Sequence, residues 1–181
     1  MIAELAPKGA QALASVQYAP VAIIASVYRR SDVAHSLAGF GFLVPKKEQR
    51  QILGSLFSSS MFPGRAPDGT VLLTSFAGGR RDPAMMTRSD EAIMQTVHNE
   101  LASLVGATAK PLWQEVVRWP QAIPQYTIGH LDRLRDIEAA EIALPGLHFC
   151  ANYRGGVSVG DCIKSAHAMV ETVDRSLRGT R

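Results

Sequence analysis

Four apolar stretches, 20–28, 39–44, 52–59 and 71–76, follow one another in the first half of the chain, separated by Pro, Gly and charged residues. Each is rich in Val, Ile, Leu, Ala or Phe and has the length of a strand. Parallel neighbours would need crossovers of about a dozen residues or more, usually helical, and no helical pattern lies between these stretches. Antiparallel pairing follows. The period then changes: Ile93, Val97, Leu101 and Leu104 share one helical face, and Ser89 with Asp90 and Glu91 supplies the N-terminus of a helix over 89–105. A further strand is expected over 112–119, then a loop over 120–126, a helix over 128–143 and a short strand over 147–151. The last helix carries Ile163, Ala166, Val170, Val173 and Leu177 on one face, the pattern of a helix packed on a sheet. Residues 7–16 suit a short helix with proline in its first turn. Strands first and helices interleaved later make the expected fold α+β, a mostly antiparallel (mixed) sheet with flanking helices.

At 181 residues the chain has room for one domain with a real core, and neither an internal repeat nor a long linker divides it. A hydrophobic share of 46% against 19% charged residues excludes a disordered chain. The net charge is only +3, and the densest cation pairs, Arg29-Arg30, Lys46-Lys47 and Arg80-Arg81, read as solvated surface, so a nucleic-acid partner has no support. Cys150 and Cys162 have neither a metal-ligand spacing nor the number for a disulfide framework, and a reduced cytoplasmic setting is expected. The longest apolar run, 19–27, is about half of the roughly 20 residues that cross a bilayer. Peripheral contact with a membrane stays open.

The residues that could carry chemistry cluster near the C-terminus. In Gly155-Gly156-Val157-Ser158-Val159-Gly160 two glycines permit close backbone approach, and the helix that follows aims its N-terminal N–H groups at the turn. An electron-rich ring or an anion is the natural occupant, and a tight connection with no ligand is the plainer alternative. Trp119, at a strand end, reads as core packing or as an aromatic wall. Tyr126 and His130 read as structural hydrogen-bonding groups, with catalysis as the alternative. His35, His98, His130, His148 and His167 show no ligand spacing, so no metal site is expected. Ser58-Ser59-Ser60 has no Gly-x-Ser-x-Gly around it, and a hydrolase triad has nothing to stand on.

Three stretches together carry a resemblance: 147–163, the string Ile123-Pro124-Gln125-Tyr126 with Gly129-His130, and Gly39-Phe40-Gly41-Phe42-Leu43-Val44-Pro45. The chain resembles the C-terminal part of protoporphyrinogen oxidases, FAD enzymes of haem biosynthesis within the flavin amine oxidase superfamily. The resemblance runs from about Leu5 to about Leu177 and covers only the C-terminal portion of the family's length. It implies a substrate-binding-domain-like region over 1–145 and, over 146–181, the strand, turn and helix that complete an FAD-binding domain. It implies further that Trp119, Val157, Ser158 and Val159 contact FAD, and that the helix dipole helps stabilise the reduced flavin. Phe42, Leu43, Leu56, Phe76, Ala77 and Gly78 are the implied wall of a porphyrinogen cavity.

The Gly-x-Gly-x-x-Gly run that holds the FAD pyrophosphate in dinucleotide-binding folds is missing; Gly39-Phe40-Gly41 lacks the third glycine and lies between strands. The N-terminal Rossmann half is therefore expected to be absent, through a truncated, split or mis-started gene or a deliberate fragment. The chain alone is then expected to be inactive, with an N-terminal FAD-domain partner or a homodimer as its complement. The parent reaction implied is flavin-mediated dehydrogenation of a porphyrinogen, with oxygen or another acceptor reoxidising the flavin. Coproporphyrinogen is an equal alternative substrate, and another flavin amine oxidase fits the fold but the 123–130 string less well. The alternative from outside the enzymes is a standalone non-catalytic α+β module that dimerises or binds a hydrophobic ligand.

Overall fold

The computed structural model describes residues 2–179. Its main elements are α1 (Ile2–Leu5), α2 (Pro7–Ala14), β1 (Tyr18–Arg29), β2 (Gly41–Leu43), β3 (Ile52–Leu56), α3 (Ser58–Met61), β4 (Thr70–Gly78), α4 (Asp90–Val105), β5 (Trp113–Pro124), α5 (His130–Ala143) and α6 (Val159–Gly179). The strands make one sheet in the order β2-β3-β4-β1-β5. The β1–β4, β2–β3 and β3–β4 pairs are antiparallel, as short connections require. The α+β fold expected from the order of patterns is the fold found. Two compact units divide it, one from the chain ends up to Tyr18 and from Ile123 onward, the other Ala19–Ala122.

In the second unit the period of two sorts side chains onto two unlike faces of the sheet. Ala22, Ile24 and Tyr28 of β1, Leu73 and Ala77 of β4 and Ile52 of β3 are buried in one core with Ile93, Val97 and Leu101 of α4. The opposite face carries Ile23, Ala25 and Val27, opposite Phe76, Thr74 and Leu72, and then Leu56 opposite Thr74; all of these are only half-buried. β5 follows the same rule. Gln114 donates to Ser26 Oγ at 3.0 Å and Val116 packs on the core, so Trp113, Val117 and Trp119 project to the open face.

α4 is held in place over the covered face by local chemistry at both ends. The Ser89 hydroxyl oxygen accepts from the Ala92 N–H at 3.3 Å, Asp90 and Glu91 sit in the first turn, and Gly106 at φ 68° ends the helix. Arg118 of β5 pairs with Asp90 and donates to the Arg88 carbonyl, tying that N-terminus to the sheet. Buried polar groups are answered: Ser75 donates to Ser55 at 3.1 Å, and Glu100 accepts from the Gln51 N–H and from Arg50. β3 carries a bulge against β4 between Ile52 and Gly54, and on its other side β2 runs so close that a Cβ at Gly54 would press into the Phe42 carbonyl oxygen.

The first unit has its own smaller core. Ala12 of α2, Val16, Ile137 of α5 and Tyr153 are buried together, with Leu13, Tyr18, Leu134 and Phe149 packed against them.

Four expectations are corrected. Residues 147–151 form no strand among the described residues, because a strand needs a ladder partner and none reaches them. β5 does not stop at Trp119 but continues through Pro120 to Pro124, which an edge strand permits since a missing N–H there costs no ladder bond. The stretch 52–59 ends as strand at Leu56 and turns into α3. The apolar stripe of α6 is not packed on a sheet: Val159, Ile163, Val170 and Leu177 are all exposed.

The two-faced sheet predicts unequal costs for neighbouring substitutions. Phe42→Ala, on the core side, should cost about 2 kcal/mol, while Leu43→Ala, 85% exposed, should stay within about 0.5 kcal/mol, both read from urea unfolding. Both tryptophans lie in β5 within this unit, so their fluorescence reports its unfolding. Burial raises the Tyr28 phenol from 10.0 to about 12. The unfolded chain ionises that phenol first, so the unit should hold its stability below pH 10 and lose about 2 kcal/mol of it as pH rises to about 12. Tyr28→Phe should remove that alkaline slope.

Candidate functional site

The site expected from the sequence lies in the first unit, at the turn that enters α6. Ser158 is the N-cap: its hydroxyl oxygen accepts from the Asp161 N–H at 3.0 Å and its O–H donates to Asp161 Oδ2 at 2.7 Å, while its carbonyl accepts from the Cys162 N–H at 2.9 Å. The amides of Val159 and Gly160, in the first turn, have no acceptor within the helix. Val157 and Val159 flank them, 48% and 78% exposed. The turn thus offers a short row of N–H donors between two apolar side chains, a surface matched to the edge of a flat, electron-rich ring.

Gly156 is required by this geometry. Its φ is 126°, and a Cβ there would lie 2.5 Å from Asp161 Oδ2, so the space that a side chain would need is filled by the capping carboxylate. That carboxylate sets the electrostatics. Its hydrogen bond from Ser158 holds the Asp161 carboxyl below the usual carboxylate value, so a negative charge already sits at the positive end of α6. Such a terminus suits a polar ring edge and repels a pyrophosphate. The sequence has no other phosphate-cradling glycine run.

The segment leading into the turn has no ladder, and its backbone is satisfied by side chains instead. Glu141 of α5 accepts the Phe149 N–H at 2.7 Å and pairs with Arg154 at 2.7 Å. Tyr126 Oη donates to the Asn152 carbonyl and Tyr18 Oη to Asn152 Oδ1, both at 3.3 Å. His130 Nε2 lies 3.0 Å from the Tyr153 carbonyl oxygen, and the His130 ring stacks on Tyr126 at 4.2 Å between centroids. Burial raises the phenols of Tyr18 and Tyr153; for Tyr153 the nearby Arg154 acts in the opposite sense and Glu141 adds to the rise. A cleft of about 470 Å³ beside this segment is lined by Glu141, His148 and Arg154 on one side and Ser165 and Met169 of α6 on another.

Of the residues singled out in the sequence, Val157, Ser158 and Val159 share this turn. Trp119, Leu43, Leu56 and Phe76 belong to the second unit, on the open face of its sheet. Phe42 and Ala77 point to the covered face, where Ala77 has no exposed surface to line a cavity with, and Gly78 ends β4 with φ 91°. The open-face residues Ile23, Val27, Leu72 and Val117 went unnoticed in the sequence, although the period of two predicts them once one face is known. Glu141 and Arg154 had no local signal, since their partners come from a different element. Among the described residues no cluster of His, Cys, Asp or Glu could hold a metal ion, and no helix is long and apolar enough to cross a membrane.

The chain is 39% identical over 153 residues to the mitochondrial protoporphyrinogen oxidase of Nicotiana tabacum, a match covering 83% of this chain and 30% of that protein. It is 28% identical over 151 residues to coproporphyrinogen III oxidase of Bacillus subtilis (strain 168), covering 83% of this chain and 32% of the relative. A crystal structure of a protoporphyrinogen oxidase candidate from Exiguobacterium sp. 255-15 superposes with a TM-score of 0.78 at 26% identity, over 98% of this chain and 39% of that one. The chain spans about a third of the length of the curated relatives it matches. The family described as flavin containing amine oxidoreductase matches residues 2–173, and the chain belongs to that family.

Proposed function

We propose that this chain is the part of a flavin-dependent porphyrinogen oxidase that meets the edge of the flavin ring and supplies one wall of the substrate cavity. The observation that carries the reading is the first turn of α6, with two amides free of helical acceptors between exposed Val157 and Val159, in a chain whose family is flavin-dependent. When bound, the flavin supplies the oxidising power. The chain's own residues position it: Val157 and Val159 pack on the ring, and Ser158 keeps the turn closed so that the α6 amides face the ring edge.

The open face of the sheet suits the other partner. A porphyrinogen is a large, mostly apolar macrocycle, and Leu43, Leu56, Phe76 and Trp119 present aliphatic and aromatic surface of the kind that binds one. In this reading the region up to residue 145 is the substrate side and 146–181 completes the flavin domain. The pyrophosphate and adenosine come to rest on a segment outside this sequence, which also covers the exposed stripe of α6, whether it belongs to the same polypeptide or to a separate one. Protoporphyrinogen and coproporphyrinogen are both candidate substrates, the relatives being named for each. A reducing, cytoplasmic setting suits the two free cysteines.

Titration of FAD into the purified chain, and into the chain co-expressed with the whole of the part of the mitochondrial Nicotiana tabacum enzyme that this chain does not match, tests the proposal. The chain alone should retain no flavin. The pair should retain it, and should oxidise one of the two porphyrinogens, read by porphyrin fluorescence. Val159→Asp should weaken retention by about tenfold or more, by setting a second carboxylate against the ring. Tight FAD binding by the chain alone, or none in either preparation, would sink the reading. Gly156→Ala should destabilise the turn by about 1–3 kcal/mol through its backbone strain and its collision with Asp161. Adding Asp161→Ala should recover only the collision, a split that unfolding of the double variant measures.

A further inference from the structure

The string Ile123-Pro124-Gln125-Tyr126 with Gly129-His130 is the most specific motif of the sequence, and the reading above gives it no task. Its two ring side chains are tied to the turn at the flavin-facing site. His130 opens α5 and is only 8% exposed. A carbonyl oxygen can only accept, so the contact with Tyr153 places the imidazole proton on Nε2. Its Nδ1 is buried without a partner, so what the structure shows of this ring is the anchoring contact of Nε2. The stack on Tyr126 fixes the ring plane, and the Tyr126 hydroxyl holds the neighbouring carbonyl of Asn152.

We propose that His130 is a positioning residue, which with Tyr126 anchors the Asn152 and Tyr153 carbonyls and so sets where the Gly155-Gly156-Val157-Ser158 turn stands against the flavin. The inference rests on the flavin reading of that turn. Physically, residues 149–154 have no strand ladder to hold them: the Phe149 N–H goes to Glu141, the Asn152 carbonyl to Tyr126, the Tyr153 carbonyl to His130, and only the Arg154 N–H finds a backbone partner, the Ala151 carbonyl. A carbonyl buried and then deprived of its donor opens the segment locally, because the rest of the unit is packed elsewhere. Glutamine can bring an amide N–H to about the place of His130 Nε2, whereas alanine cannot.

The test is hydrogen exchange, resolved by segment, on the full chain carrying His130→Ala or His130→Gln, with no flavin present. His130→Ala should speed exchange across 152–158 by about tenfold while the amides of β1 and β4 keep their wild-type rates, and His130→Gln should return the segment to within about twofold of wild type. Unchanged exchange in both variants, or an equal acceleration in every element of the first unit, overturns the proposal, the second result making His130 a general support of the fold. The same variants paired with the part of the mitochondrial Nicotiana tabacum enzyme that this chain does not match give the spectroscopic arm. His130→Ala should shift the visible absorption of the bound flavin and His130→Gln should restore it. An unshifted spectrum with local loosening overturns the link from anchor to flavin. Local loosening in a chain whose wild type takes up no flavin with that complementing part overturns the flavin reading and leaves the anchor standing.

Discussion

One-sided burial of the sheet is the constraint on which the larger unit depends. α4 lays Ile93, Val97 and Leu101 on Ala22, Ile24, Leu73 and Ala77, and the alternation of strand side chains then leaves every intervening residue on the other face. Most of those intervening residues are themselves apolar, among them Ile23, Ala25, Val27, Leu72, Phe76 and Val117, with Thr74 and Glu115 as polar exceptions. An antiparallel sheet whose second face met only water would carry polar residues there. In the proposed reading this is the face that meets the substrate, and the same packing that makes the core decides which side that is.

The turn before α6 shows a comparable economy in electrostatics. Helix N-termini attract anions, yet this one already carries the Asp161 carboxylate, held ionised by Ser158. In the proposed reading the remaining amides are left for a weaker acceptor, a ring edge that gains negative charge only on reduction. This separates the turn from the phosphate-binding termini of dinucleotide folds, although both use glycine and a helix start. The distinction lies in a single side chain three residues into the helix.

Much of this was legible in the sequence, and the misses have a common cause. The strands around 20–28, 39–44 and 71–76 and the helix from Ser89 were visible because alternation, period and capping are properties of neighbouring residues. The glycine turn at 155–160 was visible for the same reason. The short strand expected at 147–151 was not found, since an extended apolar run becomes a strand only when a ladder reaches it; here Glu141 accepts the Phe149 N–H and Arg154 donates to the Phe149 carbonyl instead. Pro120 looked like a strand end, but its place at the sheet edge spares it the hydrogen bond it cannot make.

By itself the sequence determined where side chains repeat, where helices begin and which turn carries unusual glycine geometry. Those are fixed by steric and hydrogen-bonding preferences within a few residues. Only the tertiary structure decided that Phe42 and Ala77 face the core while Leu43 and Phe76 face outward, and that His130 is buried with Nε2 on the Tyr153 carbonyl. Only it decided that the stripe of α6 stands exposed. Burial depends on which distant segments arrive at a surface, and a local pattern carries no record of that.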